Sequence, residues 1–146
     1  MTPTNIVLLL EGKDYEQETL AKASRLAQGM GSSLTLLHLT HSGKMRRNSL
    51  SLSEEERSAQ GTLDAKATIS ELITTLQHPV DYQCLVVDEV VPDLQRWLTS
   101  NPTDLLLVGS RHHWLGGSLA RSLLYKLPID IQICHEPYAE QGKAVA

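Results

Sequence analysis

The sequence predicts a doubly wound parallel α/β domain, in which five strands alternate with four main helices. Three observations carry this expectation. Short apolar runs of strand length recur along the chain, and the segments between them place apolar residues at helical spacing. The connection between the first two runs is also a full helix long, which favours parallel over antiparallel pairing. In open sheets of this kind ligands collect at the carboxyl ends of the strands, near the switch in strand order.

Asn5 to Glu11 (NIVLLLE) is a continuous apolar run that ends at a carboxylate, the pattern of a strand covered on both faces. Asp14, with Gln17 three residues on, supplies a helix cap, and Leu20, Ala23 and Ala27 keep helical spacing until Gly29 and Gly31 stop the helix. Ser33 to Thr40 is a second strand. From His41 to Leu52 the chain has no period and includes the basic stretch Lys44 to Arg47, so a mobile loop is expected. Ser53 with Glu56 makes a second capping pair. Beyond it Ala65, Ile69, Leu72 and Leu76 form one stripe reaching to about His78, with Gly61 weakening the early part of the helix.

Asp81 to Val87 (DYQCLVV) is a third strand, and Pro92 suits the first turn of a short helix whose Leu94, Trp97 and Leu98 face inward until Asn101-Pro102 ends it. The fourth strand is Asp104 to Val108. A turn follows at Gly109, and Gly117-Ser118 opens a helix that carries Leu115 or Leu119, Leu123 and Leu127 before Pro128 closes it. Strand, glycine turn and helix in that order present free backbone N–H groups and a positive dipole end, a seat for phosphate. The same glycines and serine serve equally well to turn the chain and cap the helix. Ile129 to Cys134 is the fifth strand. There Ile129, Ile131 and Ile133 alternate with Asp130, Gln132 and Cys134, as on an edge strand with one covered and one wetter face, and an exposed edge invites pairing.

The 146 residues hold one domain, 1–146, with the loop at 41–52 and a loose tail at 135–146. Hydrophobic residues at 41% and charged residues at 21% are ordinary for a folded chain, and a net charge of -4 gives no reason to expect a nucleic-acid or anionic-membrane surface. No apolar run approaches the roughly 20 residues of a membrane span, and MTPTNIVLLLEGKD lacks a secretory pattern, so a cytoplasmic protein is expected. Cys84 and Cys134 each sit in an apolar segment without a second cysteine at ligand spacing and are read as buried thiols. His112 and His113 are adjacent on a turn and point apart, and His38 with His41 is better read as hydrogen-bonded strand-end structure, so no metal is assigned. No catalytic set is legible from spacing.

A first strand ending in an acid, a second ending in His38-Leu39, a long loop, a long second helix and the glycine turn after strand four together resemble the universal stress protein family, whose fold is Rossmann-like. Members that bind ATP carry Gly, two residues, Gly, nine residues, Gly, then Ser or Thr, with an acid at the end of strand one. Carried over, Gly109 matches the first glycine, Gly117-Ser118 the final pair, and Glu11 the acid. His112 replaces the second glycine, and seven residues separate Gly109 from Gly117 where the family pattern has twelve. Fewer amides remain for a polyphosphate, and His112, His113 and Trp114 crowd the turn.

The run SLARSLLYKLPID, Ser118 to Asp130, is similar to the branch typified by universal stress protein A, which lacks the full glycine motif. The resemblance therefore implies a stress-response homodimer that acts through protein interactions, pairs through Ile129, Ile131 and Ile133, and needs no cofactor. The alternative it implies is a nucleotide module taking ATP or AMP with Mg²⁺, with slow hydrolysis, at Glu11, Leu39, Gly109, Ser110, Gly117 and Ser118.

Overall fold

The computed structural model describes residues 5–41, 52–110, 113–114, 117–118, 121, 123 and 126–135. The chain runs β1 (Asn5–Leu10), a 3-10 turn (Asp14–Glu16), α1 (Gln17–Met30), β2 (Ser33–His41), α2 (Leu52–Ile73), β3 (Asp81–Val87), α3 (Val90–Ser100), β4 (Leu105–Gly109), β5 (His113–Trp114), β6 (Gly117–Ser118) and β7 (Asp130–Cys134). Arg121 and Leu123 are helical as well. The basic stretch Lys44 to Arg47, His112, Leu115, Leu119 and the tail beyond His135 lie outside the described residues.

Five strands form one parallel sheet in the order β3-β2-β1-β4-β7. The chain first winds outward from β1 to β3, then returns to the other side of β1 with β4 and β7. The switch in strand order thus falls between β1 and β4, which places the crevice of the doubly wound fold beyond Leu10 and Gly109. Helices cover both faces. On one face Leu20, Ala23 and Ala27 of α1 and Ile69 and Leu72 of α2 pack on Ile6, Leu8, Leu10, Leu34, Leu36 and Leu107. On the other, Leu94 of α3 with Leu123 and Leu127 packs on Val7, Leu9, Leu37, Leu39, Leu106 and Val108. Alternate residues of β1 therefore feed two different cores, which is why its run is apolar without a period of two.

The element boundaries follow their local chemistry. Gly29 does not stop α1; the helix runs through it and ends at Gly31, whose φ of 64° makes the left-handed cap, with its N–H and that of Ser32 returning to Gln28 and Ala27. The helix expected to start at Asp14 starts instead at Gln17, and the residue before it, Glu16, uses its side chain elsewhere. α2 stops at Ile73, short of His78, where the Thr74 and Thr75 hydroxyls bond back to the Glu71 and Leu72 carbonyls. Pro92 occupies the first turn of α3, and Asn101 closes it through its N–H and side-chain amide to the Trp97 carbonyl.

Two further expectations need correction. Gly117-Ser118 does not open a helix: it is a strand, paired antiparallel with His113–Trp114 in register His113↔Ser118 and Trp114↔Gly117. In an antiparallel ladder opposed pairs alternate between hydrogen-bonded and non-hydrogen-bonded, so the extended backbone here does not present its amides together in one direction as a first helical turn does. Cys84, on edge strand β3, is exposed and belongs to neither core, whereas Cys134, on the opposite edge strand, packs into the α1-side core and is buried as expected.

Candidate functional site

The carboxyl end of β1 is built around a buried acid. The Glu16 side chain is 0% exposed, and its Oε1 accepts the backbone N–H of Gly12 at 2.7 Å and of Lys13 at 2.7 Å, while the Glu11 N–H reaches Oε2 at 2.9 Å and Oε1 at 3.2 Å. Gly12 lets the loop curl in this way through a φ of 86°, and a Cβ there would collide with Ala65 of α2. Glu11 itself is half-buried, and the Tyr15 hydroxyl lies 3.5 Å from its Oε2, a long contact. The acid expected to meet a ligand is present at the strand end, but the amides beside it already serve Glu16.

Beneath this loop lies His38 of β2, 1% exposed. Its Nδ1 is 2.8 Å from the Tyr82 hydroxyl of β3, and the ring also makes a backbone hydrogen bond with Glu11. Burial holds its pKa below the ordinary histidine value; the Glu16 carboxylate and the Glu11 bond oppose this, and Lys66 of α2 adds to it. A neutral ring that donates to Glu11 leaves Nδ1 to accept the Tyr82 proton. Burial likewise pushes the Tyr82 hydroxyl up, so it stays protonated. His38 is thus a hydrogen-bonded core histidine, as the sequence indicated. Leu39 is buried in the α3-side core and offers its side chain to packing.

The neighbouring strand ends are closed in the same fashion. Gly109 pairs in register with Cys134, and the Ser110 N–H donates to the Cys134 carbonyl at 2.8 Å. After β3, the Asp93 Oδ2 accepts the N–H groups of Asp88 at 2.8 Å and Glu89 at 3.2 Å, and Arg96 pairs with its other oxygen. Those bonds, the Asp88 amide first, hold the Asp93 carboxyl below the usual range. Glu16 and Asp93 each sit five residues beyond the first amide they accept, so the loops after β1 and β3 share one device.

β7 is an edge strand, as its alternation indicated, but the faces divide differently. Ile129 and Ile131 are half-buried against the α3-side core, Ile133 is 44% exposed, and Cys134 is buried on the α1 side. Between α1 and β7 runs an open groove of about 530 Å³, bounded by Lys22, Arg25, Leu26, Gln132 and His135, with the Lys22 ammonium donating to the His135 carbonyl. Among the described residues no group of three or more His, Cys, Asp or Glu side chains is placed to hold a metal ion, and no helix is long and apolar enough to cross a membrane.

Sequence reasoning identified Glu11 and Ser110 at adjacent strand ends, yet passed over Glu16 and Tyr82. Glu16 could have been found as a carboxylate within reach of a glycine-containing loop at a helix start. Tyr82 could not, because its contact with His38 depends on β2 lying next to β3 in this register.

A parallel sheet wound on both faces, with its switch between β1 and β4 and an acid at the end of β1, defines a doubly wound α/β protein. The family model of the universal stress protein family matches residues 3–135, and the chain belongs to that family. Among solved structures, it is similar to UspA from Lactobacillus plantarum (17% identity, TM-score 0.71, 91% of this chain and 98% of that one). A universal stress protein in complex with cAMP aligns at 16% identity and a TM-score of 0.70, over 94% of this chain and 100% of that one. The universal stress protein from Archaeoglobus fulgidus in complex with dAMP aligns at 19% identity and a TM-score of 0.62, over 91% and 98%. No curated protein matches.

Proposed function

We propose that this universal stress protein is a cytosolic stress-response homodimer that acts through protein contacts and has no seat for a nucleoside triphosphate. One observation carries the reading: the backbone amides at the strand ends that flank the switch point are spent internally, Glu11 on the Glu16 carboxylate and Ser110 on the Cys134 carbonyl. A triphosphate is held largely by such amides, and each one already bonded must lose its partner before it can serve a phosphate. The strand pairing of Gly117 and Ser118 adds to this, since these two residues do not form the first turn of a helix. Homodimerisation is supported by the edge position of β7 and by exposed Ile133.

A second reading is favoured by the relatives solved with cAMP and with dAMP, and by the half-buried Glu11 at the end of β1. It is a mononucleotide switch taking AMP, or ATP with Mg²⁺, at Glu11, Leu39, Gly109, Ser110, Gly117 and Ser118. Calorimetric titration of nucleotide-free protein separates the two. Absence of heat with ATP and Mg²⁺ up to millimolar concentration, about −4 kcal/mol or weaker, is the outcome expected of the first reading. Saturable micromolar binding of ATP overturns it, and saturation by AMP alone selects the mononucleotide switch.

A further inference from the structure

We propose that the loop after β1 is an oxyanion-binding nest that the chain fills with its own Glu16 carboxylate, and that this occupancy bars external phosphates and carboxylates from the end of β1. The amides concerned belong to Glu11, Gly12 and Lys13, before the helix begins, and three in succession converge on one carboxylate. Successive N–H groups curled around a concavity form the geometry that elsewhere accepts phosphate. Here the group found in it is an anion, fully buried, and four donor contacts between 2.7 and 3.2 Å account for its solvation.

A buried carboxylate is costly unless donors replace its water, so the loop and the acid require each other. Gly12 shows that the concavity is built into the backbone: its φ of 86° aims the amide inward, and Ala65 of α2 closes the space above it. Asp93 uses a similar reach at the loop after β3 with two amides, but it is only half-buried and paired with exposed Arg96, so that loop is a surface cap and not a closed nest. The chemistry admitted by an emptied nest would be a small oxyanion such as acetate or inorganic phosphate.

The inference deepens the reading of a protein without a triphosphate seat, and its functional consequence rests on that reading. Its test does not use a nucleotide. In ¹⁵N-labelled full-length protein, the amide resonances of Glu11, Gly12 and Lys13 are followed as sodium acetate or sodium phosphate is added against sodium chloride of equal ionic strength. In the wild-type protein those three resonances should stay fixed. In Glu16→Ala they should move saturably with acetate or phosphate, and acetate should restore part of the lost melting temperature where chloride does not.

Should Glu16→Ala fail to fold, Glu16→Gln keeps the side-chain volume and one acceptor oxygen while removing the charge. The same resonances should then shift from their wild-type positions as the charge leaves, and should stay insensitive to phosphate because the side-chain amide still fills the nest. Saturable phosphate shifts at these amides in the wild-type protein would overturn the proposal. So would a folded Glu16→Ala protein whose three amides ignore every oxyanion, or a Glu16→Gln protein whose three amides keep their wild-type positions. ATP binding in the calorimetric titration of the wild-type protein, with these amides unmoved by oxyanions, would reject the proposed function and leave the filled nest standing.

Discussion

The Tyr82 hydroxyl stands 2.8 Å from Nδ1 of His38, and this bond ties the edge strand β3 to the buried end of β2 directly under the Glu11 loop. Tyr82 opposes Leu36 in the ladder, so the contact runs diagonally, two residues along from its own partner. Tyr82→Phe removes the donor and leaves a buried ring nitrogen with no partner in its place. A loss of about 1 to 3 kcal/mol is expected in urea unfolding at neutral pH. A change within experimental error would mean that the hydroxyl contributes nothing net.

His38 also sets a pH dependence. Its pKa in the folded chain is lowered, chiefly by burial, while the unfolded value is near 6.5. The unfolded chain therefore binds the proton more readily. Stability should fall as pH drops below about 6.5, and go on falling until the folded-state value is passed. The groups facing the ring are Glu16, Lys66 and Tyr82, of which Glu16 and the Glu11 backbone bond resist the shift. His38→Gln should flatten the curve of urea midpoint against pH through this window; an unchanged slope would assign it to other groups.

Two glycines should respond to alanine with opposite signs. Gly12→Ala places a side chain at a φ of 86° and drives it into Ala65, so a loss of about 2 to 4 kcal/mol is expected. Gly29 is helical and has no atom within 4 Å of an added Cβ, so Gly29→Ala should gain about 0.5 to 1 kcal/mol. Thermal unfolding of both variants checks the pair.

The proposed last-strand dimer is best tested at Ile133. Ile131 packs partly into the α3-side core, where a lysine would damage folding as well as any interface, but Ile133 is 44% exposed. Ile133→Lys should leave the melting temperature nearly unchanged and shift the sedimentation coefficient toward a monomer. A dimer that persists would place the interface elsewhere.

Much of the sheet was legible because it rests on local composition. The apolar runs gave β1, β2, β3 and β4 to within a residue, and the spacing of Leu20, Ala23 and Ala27 placed α1. The candidate site was less so. Gly117-Ser118 before a helical stripe is as good a cap as it is a two-residue strand, and only pairing with His113–Trp114 decides between them. Asp14 with Gln17 satisfied the pattern of a capping box, yet the acid that bonds the loop is Glu16, because it lies where Gly12 turns the amides inward.

By itself the sequence determined the class of fold, the acid at the end of β1 and the shortened stretch after Gly109. Runs, periods and spacings are properties of neighbours in the chain, and those suffice for local structure. Tertiary structure decided that β3 and β7 are the edges, that Cys84 is exposed, that Tyr82 meets His38, and that Ser110 spends its amide on Cys134. Each of these depends on which strands become neighbours, and that is set by how two cores pack on opposite faces of one sheet.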